Sequence, residues 1–252
     1  MKLLAALLSL SAGISGLVWF QPRWLWSILA PAICPGAVFY VETTAPLVAL
    51  TIDDGPDGRP DVQPRTTTQI LQVLAQYDAQ ATFFLIGNRI NADSAPLVAQ
   101  MIQQGHEVGN HLLADRASRS FSPERFATEM AETEQKILAA GKISQLPGRW
   151  LRPGGGLATA EQIKIAQAHH YQVAIGSSWP YDTIIPSSTW AANQILSNVQ
   201  PGSIIILHDR GGQETGGEWG ERTVQTLQRI LPELRRRGFK VVTLSQLVAH
   251  RQ

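Results

Sequence analysis

Short apolar runs alternate with longer amphipathic stretches from about residue 46 to the end of the chain. The runs are rich in β-branched and aromatic residues, which is typical of strands, and the longer stretches have a helical period. We predict seven strands, at 47–52, 81–86, 106–110, 149–152, 171–176, 203–208 and 240–244. We predict six helices between them, at 65–77, 94–104, 123–140, 159–168, 189–199 and 221–237.

This alternation predicts an α/β fold, because strands separated by crossover helices pair in parallel. The runs "ATFFLI" (81–86) and "SIIILH" (203–208) are apolar without a period of two, as expected of strands covered on both faces. Two architectures fit this pattern: an open doubly wound sheet and a closed β/α barrel.

Polar residues directly follow five of the predicted strands. The five groups are Asp53-Asp54, Asn110-His111, Arg152-Pro153, residues 179–182 and His208-Asp209. In a barrel all carboxyl ends of the strands share one rim, whereas an open sheet gathers two or three such groups at a switch point. We therefore predict a (β/α) barrel of about seven parallel strands, incomplete because a full barrel has eight.

The N-terminal segment differs from the rest of the chain. Residues 3–20, "LLAALLSLSAGISGLVWF", carry no charge and are at the short end of what spans a bilayer. We predict that residues 1–40 form a membrane anchor or a signal segment and that residues 41–252 form the folded domain. The apolar run continues past 20 and includes Trp19, Trp24 and Trp26, which favours a retained anchor over a cleaved signal peptide.

The few charges around this segment also predict a location. The N-terminal amine and Lys2 precede the apolar run and Arg23 follows it, which places the domain outside the cytoplasm. If the segment is cleaved, we expect a secreted or periplasmic protein instead.

Composition restricts the possible functions. The net charge is +1 and the 21 Lys and Arg residues are scattered, so we expect no nucleic-acid partner. The single cysteine, Cys34, excludes a disulfide within the chain and any multi-cysteine metal site. We expect a monomer.

The polar residues at the strand ends form a candidate metal site. Asp115 lies four positions after His111, which places both side chains on one helical face if a turn of helix begins there. Together with Asp54 they would form a three-ligand set with open positions for water. Each residue also has an ordinary structural interpretation: Asp54 in a turn, His111 as a hydrogen-bonded polar residue.

Five segments resemble those of a known family in order and spacing. "TIDDGP", "GHEVGNH", the arginine–proline–glycine segment at 152–156, the tryptophan–aspartate segment at 179–182 and "PGSIIILHD" resemble the NodB-homology polysaccharide deacetylases, carbohydrate esterase family 4. The resemblance extends from about 47 to 247. It implies a distorted β/α barrel that removes acetyl groups from N-acetylated glycans, such as chitooligosaccharides or peptidoglycan, with one divalent metal ion.

The resemblance implies roles for the residues that handle protons. Asp53 would be the catalytic base, Arg152 would orient it, and His208 would be the general acid. Asp182 would tune His208.

It also implies ligands for the metal and the substrate. Asp54 and His111 would bind the metal. Leu207 would line the acetyl pocket, and the backbone N–H of Gly155 would donate to the oxyanion. Tyr181 is a candidate for stacking on a sugar, although core packing explains it equally well.

Asp115 is the main departure from the family pattern. The family has a second histidine at this position, so the ligand set here has two carboxylates and one imidazole and sums to zero around a divalent ion. Such a centre activates bound water less, and its extra oxygen ligand favours Mn²⁺, Co²⁺ or Mg²⁺ more than softer sites do. We still expect Zn²⁺ first, but with weaker selectivity and a more alkaline activity optimum.

Two other functions remain open at this point. One is a non-catalytic glycan-binding protein of the cell envelope whose metal site has lapsed. The other is hydrolysis of an O-acetyl ester or of a non-sugar amide by the same residues.

Overall fold

The structure is a computed structural model that describes residues 19–57, 66–209 and 218–252. The seven predicted strands are present: β1 Leu47–Gly55, β2 Ala81–Leu85, β3 Glu107–Asn110, β4 Trp150–Leu151, β5 Gln172–Val173, β6 Ile204–His208 and β7 Lys240–Val242. The helices are α1 Arg23–Ile33, α2 Thr66–Gln76, α3 Ala95–Gln103, α4 Pro123–Gly141, α5 Ala160–Ala168, α6 Ser188–Asn198, α7 Glu218–Arg236 and α8 Leu244–Val248.

The strands form one curled parallel sheet. Its order is β5-β4-β3-β2-β1-β6, and β7 pairs with the start of β1. Between the two ends of this order, β5 and β6, the described residues provide only isolated bridges: Val38 to Ala174, Tyr40 to Ser203 and Ser178 to Ile205. The fold is therefore a half-barrel with an irregular seam between β5 and β6, which confirms the predicted distorted barrel.

Large aromatic side chains fill the core on both sides of the sheet. Trp150, Tyr171, Phe83, Phe84 and Phe126 are all almost completely buried, and rings of this size dominate the burial of apolar surface. The rigid layer they form fixes the strands whose carboxyl ends carry the polar residues.

Helix ends follow the expected chemistry. The hydroxyl of Ser122 accepts a hydrogen bond from the backbone N–H of Arg125 at the start of α4, as a capping serine does. Thr159 and Thr243 each form a complete capping box, before α5 and α8 respectively.

The N-terminal residues that the structure describes pack on the domain. The indole of Trp26, on α1, donates to the carbonyl of Ser177 at 3.2 Å and stacks on Phe39 at 5.7 Å between ring centroids. Cys34 and Phe39 are buried in the main hydrophobic core. The segment from α1 to Phe39 therefore covers one side of the sheet.

The predicted anchor lies mostly outside the described residues. Residues 1–18 are not described, so the apolar run at 3–20 and the domain boundary at 40 stay predictions. In the part of the chain that the structure covers, no helix is both long and apolar enough to span a bilayer.

Candidate active site

Both aspartates at the end of β1 face the same cavity. Neighbouring residues of a regular strand point to opposite faces, but the pairing of β1 with β2 shifts register between Ile52 and Gly55. Asp54 has φ +67°, a left-handed conformation that aspartate tolerates better than most residues. This bulge lets Asp53 and Asp54 both line the cavity.

The register of β1 with β6 places the predicted base beside the predicted acid. Asp53 is the direct partner of His208 in this parallel pair, and the backbone N–H of Asp209 donates to the carbonyl of Asp53 at 2.8 Å. Residues opposite each other in a sheet point to the same face. The two side chains therefore approach the cavity from adjacent strands.

Arg152 is a buried cation whose donors are largely occupied. Its Nη1 donates to a carboxylate oxygen of Asp53 and to the hydroxyl of Thr51, the latter at 2.8 Å. Its remaining contacts are the carbonyls of Ala174, at 3.0 Å, and Ile175. A buried charge requires such partners, and they orient Asp53.

His208 is held by Asp182. The Nδ1 of His208 lies 2.9 Å from Oδ2 of Asp182, so Nδ1 donates and Nε2 is directed elsewhere. Burial alone would lower the pKa of His208, but the negative charge of Asp182 and its hydrogen bond outweigh that effect, and the pKa rises to about 9. The imidazole is therefore cationic at neutral pH, as a proton donor must be.

Asp54 and His111 have the geometry of two ligands of one ion. Nδ1 of His111 donates to the carbonyl of Arg152 at 2.7 Å, which leaves Nε2 facing Oδ1 of Asp54 at 3.4 Å. Two donors at about 2.0–2.1 Å from a tetrahedral ion are about 3.3–3.4 Å apart. A carbonyl behind the ring is also the usual support of a metal-binding histidine.

The pKa shifts of Asp54 and His111 agree with the contact between the two side chains. Burial would raise the pKa of Asp54, but the hydrogen bond from His111 and the nearby cationic groups lower it below its ordinary value. Burial would lower the pKa of His111, whereas Asp54 and Asp53 raise it above its ordinary value. The carboxylate is thus available as an anionic donor.

Asp115 lines the same cavity but has a different partner. No helical turn begins after His111, because Leu112 adopts φ +63° and the chain bends away; the expected helical spacing is therefore wrong. The carboxylate of Asp115 accepts from Nη2 of Arg89 at 2.9 Å. Among the residues described, no three histidine, cysteine, aspartate or glutamate side chains form a group that could hold a metal ion.

These side chains surround a cavity of about 460 Å³. Seven of the predicted site residues line it: Asp53, Asp54, His111, Asp115, Arg152, Gly155 and His208. Gly155 has φ +73°, a conformation that glycine adopts without strain.

Two predicted substrate-binding residues do not line this cavity. Leu207 is fully buried in the main core, since its strand position points away from the face that carries His208. Tyr181 packs on Trp179 with 4.6 Å between ring centroids. Their proposed contacts with the substrate stay predictions.

The structure also gives supporting roles to two residues that the sequence placed at strand ends without a role, Asn110 and Asp209. The side chain of Asn110 accepts from the backbone N–H of Leu112 at 2.9 Å and donates to Met130 O at 2.8 Å, which fixes the His111 loop. Asp209 is buried below the site and accepts from the hydroxyls of Thr66 and Thr67. The motif "LHD" was the only signal for Asp209.

A family model described as polysaccharide deacetylase matches residues 40–174. The chain belongs to the polysaccharide deacetylase family. It is of the carbohydrate esterase family 4 type, whose deacetylases are hydrolases, as the motifs in the sequence predicted.

Individual relatives agree with this assignment. The chain is 34% identical over 220 residues to a peptidoglycan-N-acetylglucosamine deacetylase of Bacillus cereus, covering 84% of this chain and 92% of the relative. It is 32% identical over 216 residues to a chitooligosaccharide deacetylase of Bradyrhizobium sp., covering 79% and 90%.

A solved structure in the same family was determined with a metal ion. A family 4 acetyl xylan esterase from Clostridium thermocellum, in complex with a cobalt ion, superimposes with a TM-score of 0.69 at 29% identity. The match covers 81% of this chain and 90% of that one. Deacetylases of this family generally depend on a metal.

Proposed function

We propose that this polysaccharide deacetylase is a metal-dependent N-deacetylase of a chitooligosaccharide or peptidoglycan type of glycan. The observation that carries the proposal is the pairing of Asp53 with His208 on adjacent strands, each held by its own charged partner. We further propose that it acts as a monomer outside the cytoplasm. It would be anchored in the membrane by its N-terminal segment, or secreted or periplasmic if that segment is cleaved.

The reaction is the hydrolysis of an amide. Asp53 takes a proton from water, and the water oxygen bonds to the acetyl carbon. The bond from that carbon to nitrogen breaks, and cationic His208 gives its proton to the leaving amine. Acetate and a free amino sugar result, and the acid and base exchange their protonation states until solvent restores them.

Other residues of the chain position these groups. Arg152 holds the carboxylate of Asp53, and Asp182 holds the ring of His208. The backbone N–H of Gly155 would donate to the oxyanion, since Gly155 lines the cavity.

Asp54 and His111 fit a divalent cation by their 3.4 Å separation and the direction of the His111 ring. Asp115 would supply a third ligand. When bound, such an ion polarises the acyl oxygen and makes water more acidic. We propose Zn²⁺ first, with Co²⁺, Mn²⁺ or Mg²⁺ as substitutes because of the second carboxylate.

Acetate release is the direct test. Chelator-stripped protein is given Zn²⁺, Co²⁺, Mn²⁺ or Mg²⁺ in turn and incubated with chitin oligomers, peptidoglycan or acetylated xylan. We expect acetate from the first two substrates with at least one metal. His208→Asn should lower the rate by about 10² to 10⁴-fold, whereas His169→Asn, an exposed histidine, should not.

Two results would contradict the proposal in different ways. Glycan binding without acetate release under any metal would indicate a lapsed site. Release from acetylated xylan alone would indicate an O-acetyl esterase, the activity named for the cobalt-bound relative.

A further inference from the structure

The cavity has a polar part and an apolar part. In the polar part Asp115 keeps 43% of its side chain exposed. In the apolar part Phe39, Ile175 and Ile206 are 4%, 7% and 9% exposed. Six side chains form what we call the apolar pouch: Trp26, Ile33, Phe39, Ile175, Trp179 and Ile206.

The pouch lies at the seam between β5 and β6. Ile175 follows β5, and Ile206 is two residues before His208 on β6, so the seam brings the pouch next to the general acid. Trp26 and Ile33 of α1 form its outer wall. The stacking of Trp26 on Phe39 holds that wall in place.

The N-terminal segment supplies half of the pouch, namely Trp26, Ile33 and Phe39. The other half comes from the seam between β5 and β6.

We infer that the apolar pouch binds an aliphatic acyl chain longer than acetyl, so that N-acyl glycans with butyryl or hexanoyl groups are better substrates than their N-acetyl counterparts. This inference rests on the proposed function, because it places the same amide between Asp53 and His208. The sugar then lies in the polar part of the cavity and the acyl chain in the apolar pouch.

The chemistry remains amide hydrolysis. Water adds its oxygen to the acyl carbon, the carbon–nitrogen bond breaks, and His208 protonates the amine. The products are a fatty acid anion in place of acetate and the same free amino sugar, with no further reactant.

The size of the cavity supports a longer chain. An apolar cavity of about 150 Å³ already holds a benzene molecule, and the whole cavity, with its polar and apolar parts together, measures about 460 Å³. The pouch is one part of that volume, and its six apolar side chains offer more contacts than the single methyl group of an acetamide uses. Each methylene buried there should raise kcat/KM about fourfold until the pouch is full.

The experiment compares glucosamine oligomers that carry N-acetyl, N-butyryl or N-hexanoyl groups, with the metal-loaded full-length protein. We expect kcat/KM to rise by roughly 16-fold from acetyl to butyryl, which adds two methylenes. Equal or falling values along the series would overturn the inference.

A pair of variants on one helix localises the effect. Ile33→Trp fills the pouch and should lower the ratio of hexanoyl to acetyl hydrolysis. Ile28→Trp places the same ring on the exposed side of α1, where Ile28 is 65% exposed, and should leave that ratio unchanged. A ratio that responds equally to both changes would contradict the assignment of the pouch.

Binding separates this inference from the proposed function. If no substrate is hydrolysed, the proposed function fails, but the affinities for N-hexanoyl and N-acetyl oligomers still decide the inference. The fluorescence of the cavity tryptophans reports both affinities. Tighter binding of the hexanoyl form supports the pouch, and equal or weaker binding overturns it.

Discussion

The two halves of the active site differ in how completely the chain itself assembles them. In the proton-transfer half, Asp53 is paired with Arg152 and His208 with Asp182. In the cation-binding half, Asp54 and His111 contact each other, while Asp115 is paired with Arg89. The first half has its charges balanced by neighbouring side chains. In the second, two carboxylates face the guanidinium of Arg89 and the imidazole of His111, whose pKa the neighbouring aspartates raise, and a bound cation would take the place of the proton on His111.

The difference follows from what each half does. The acid and the base must be in position before the reaction begins, whereas a bound cation can itself bring its ligands together. A base and an acid are effective only when the protein fixes their geometry. Ligands of a cation gain their arrangement partly from the ion itself. The predictions below test the two halves separately.

The largest effect is expected from Asp53→Asn. The amide keeps an oxygen that can accept from Arg152 but cannot take a proton from water, so kcat should fall by about 10² to 10⁴-fold. Steady-state kinetics measure this loss, and metal titration should show unchanged affinity because Asp54 and His111 remain. Asp78→Asn, an exposed aspartate, is the matched control. Activity within a few-fold of the unaltered protein would remove Asp53 from the role of base.

The next effect concerns pH. In the proposed mechanism His208 is the proton donor, so kcat/KM should fall as the pH rises through about 9, the value to which Asp182 raises the pKa of His208. In Asp182→Asn the alkaline limb of the pH profile should move toward 6.5, the ordinary pKa of histidine. At pH 8 a pKa of 9 leaves about 90% of the imidazole protonated and a pKa of 6.5 about 3%. The loss at pH 8 should therefore approach 30-fold.

The substitution Asp182→Asn should also change how the free energy of unfolding depends on pH. A pKa raised in the folded state stabilises the fold below the unfolded value, and that contribution is lost as the pH rises through the folded value. The free energy of unfolding of Asp182→Asn should thus differ most from the unaltered protein near pH 6 and least above 9. Asp93→Asn, which is exposed, should follow the unaltered profile. If the alkaline limb of the kcat/KM profile does not move in Asp182→Asn, Asp182 is not the cause of the raised pKa of His208.

A smaller change tests the identity of the third ligand. Asp115→His replaces a hard oxygen donor by an imidazole, so the affinity for Zn²⁺ should rise relative to that for Mn²⁺. Competition between the two metals, followed by calorimetry on chelator-stripped protein, measures the ratio. Asp93→Asn again serves as the control. Identical ratios in the variant and the unaltered protein would indicate that Asp115 does not bind the ion.

Most of the fold followed from periodicity, because the crossover helices and the central strands are long enough to bury an apolar face. The predicted ranges overestimate β4 and β5, which have two residues each. Two helices were not predicted. α1 lies in a continuous apolar stretch that had been assigned to the anchor, and α8 is only five residues long. The capping box formed by Thr243 and Gln246 was the available signal for α8.

The site was predictable as far as it depends on strand ends. Asp53, Asp54, His111, Arg152 and His208 all lie on one cavity because parallel strands end at one edge. The position of Arg89 beside Asp115 could not be predicted, since it depends on how the short 3₁₀ turn at Gly87–Arg89 packs against the His111 loop. The β1 bulge at Asp54 likewise depends on the register with β2, which a single sequence does not specify.

The smallest expected effect comes from the ion pair between Arg89 and Asp115, which the sequence did not predict. Arg89→Met frees the carboxylate of Asp115 and removes one positive charge near Asp54, so metal affinity should increase. A partly exposed ion pair is worth about 0.2–1 kcal/mol, which limits the gain to about fivefold. Calorimetric titration with Zn²⁺ measures it, and Arg125→Met, which breaks an ion pair with Glu129 on α4, is the matched control. Arg89 also donates to the backbone carbonyl of Asp54. A decrease in metal affinity would therefore show that Arg89 is needed to hold Asp54 in place. The cation-binding half would then be as preorganised as the proton-transfer half.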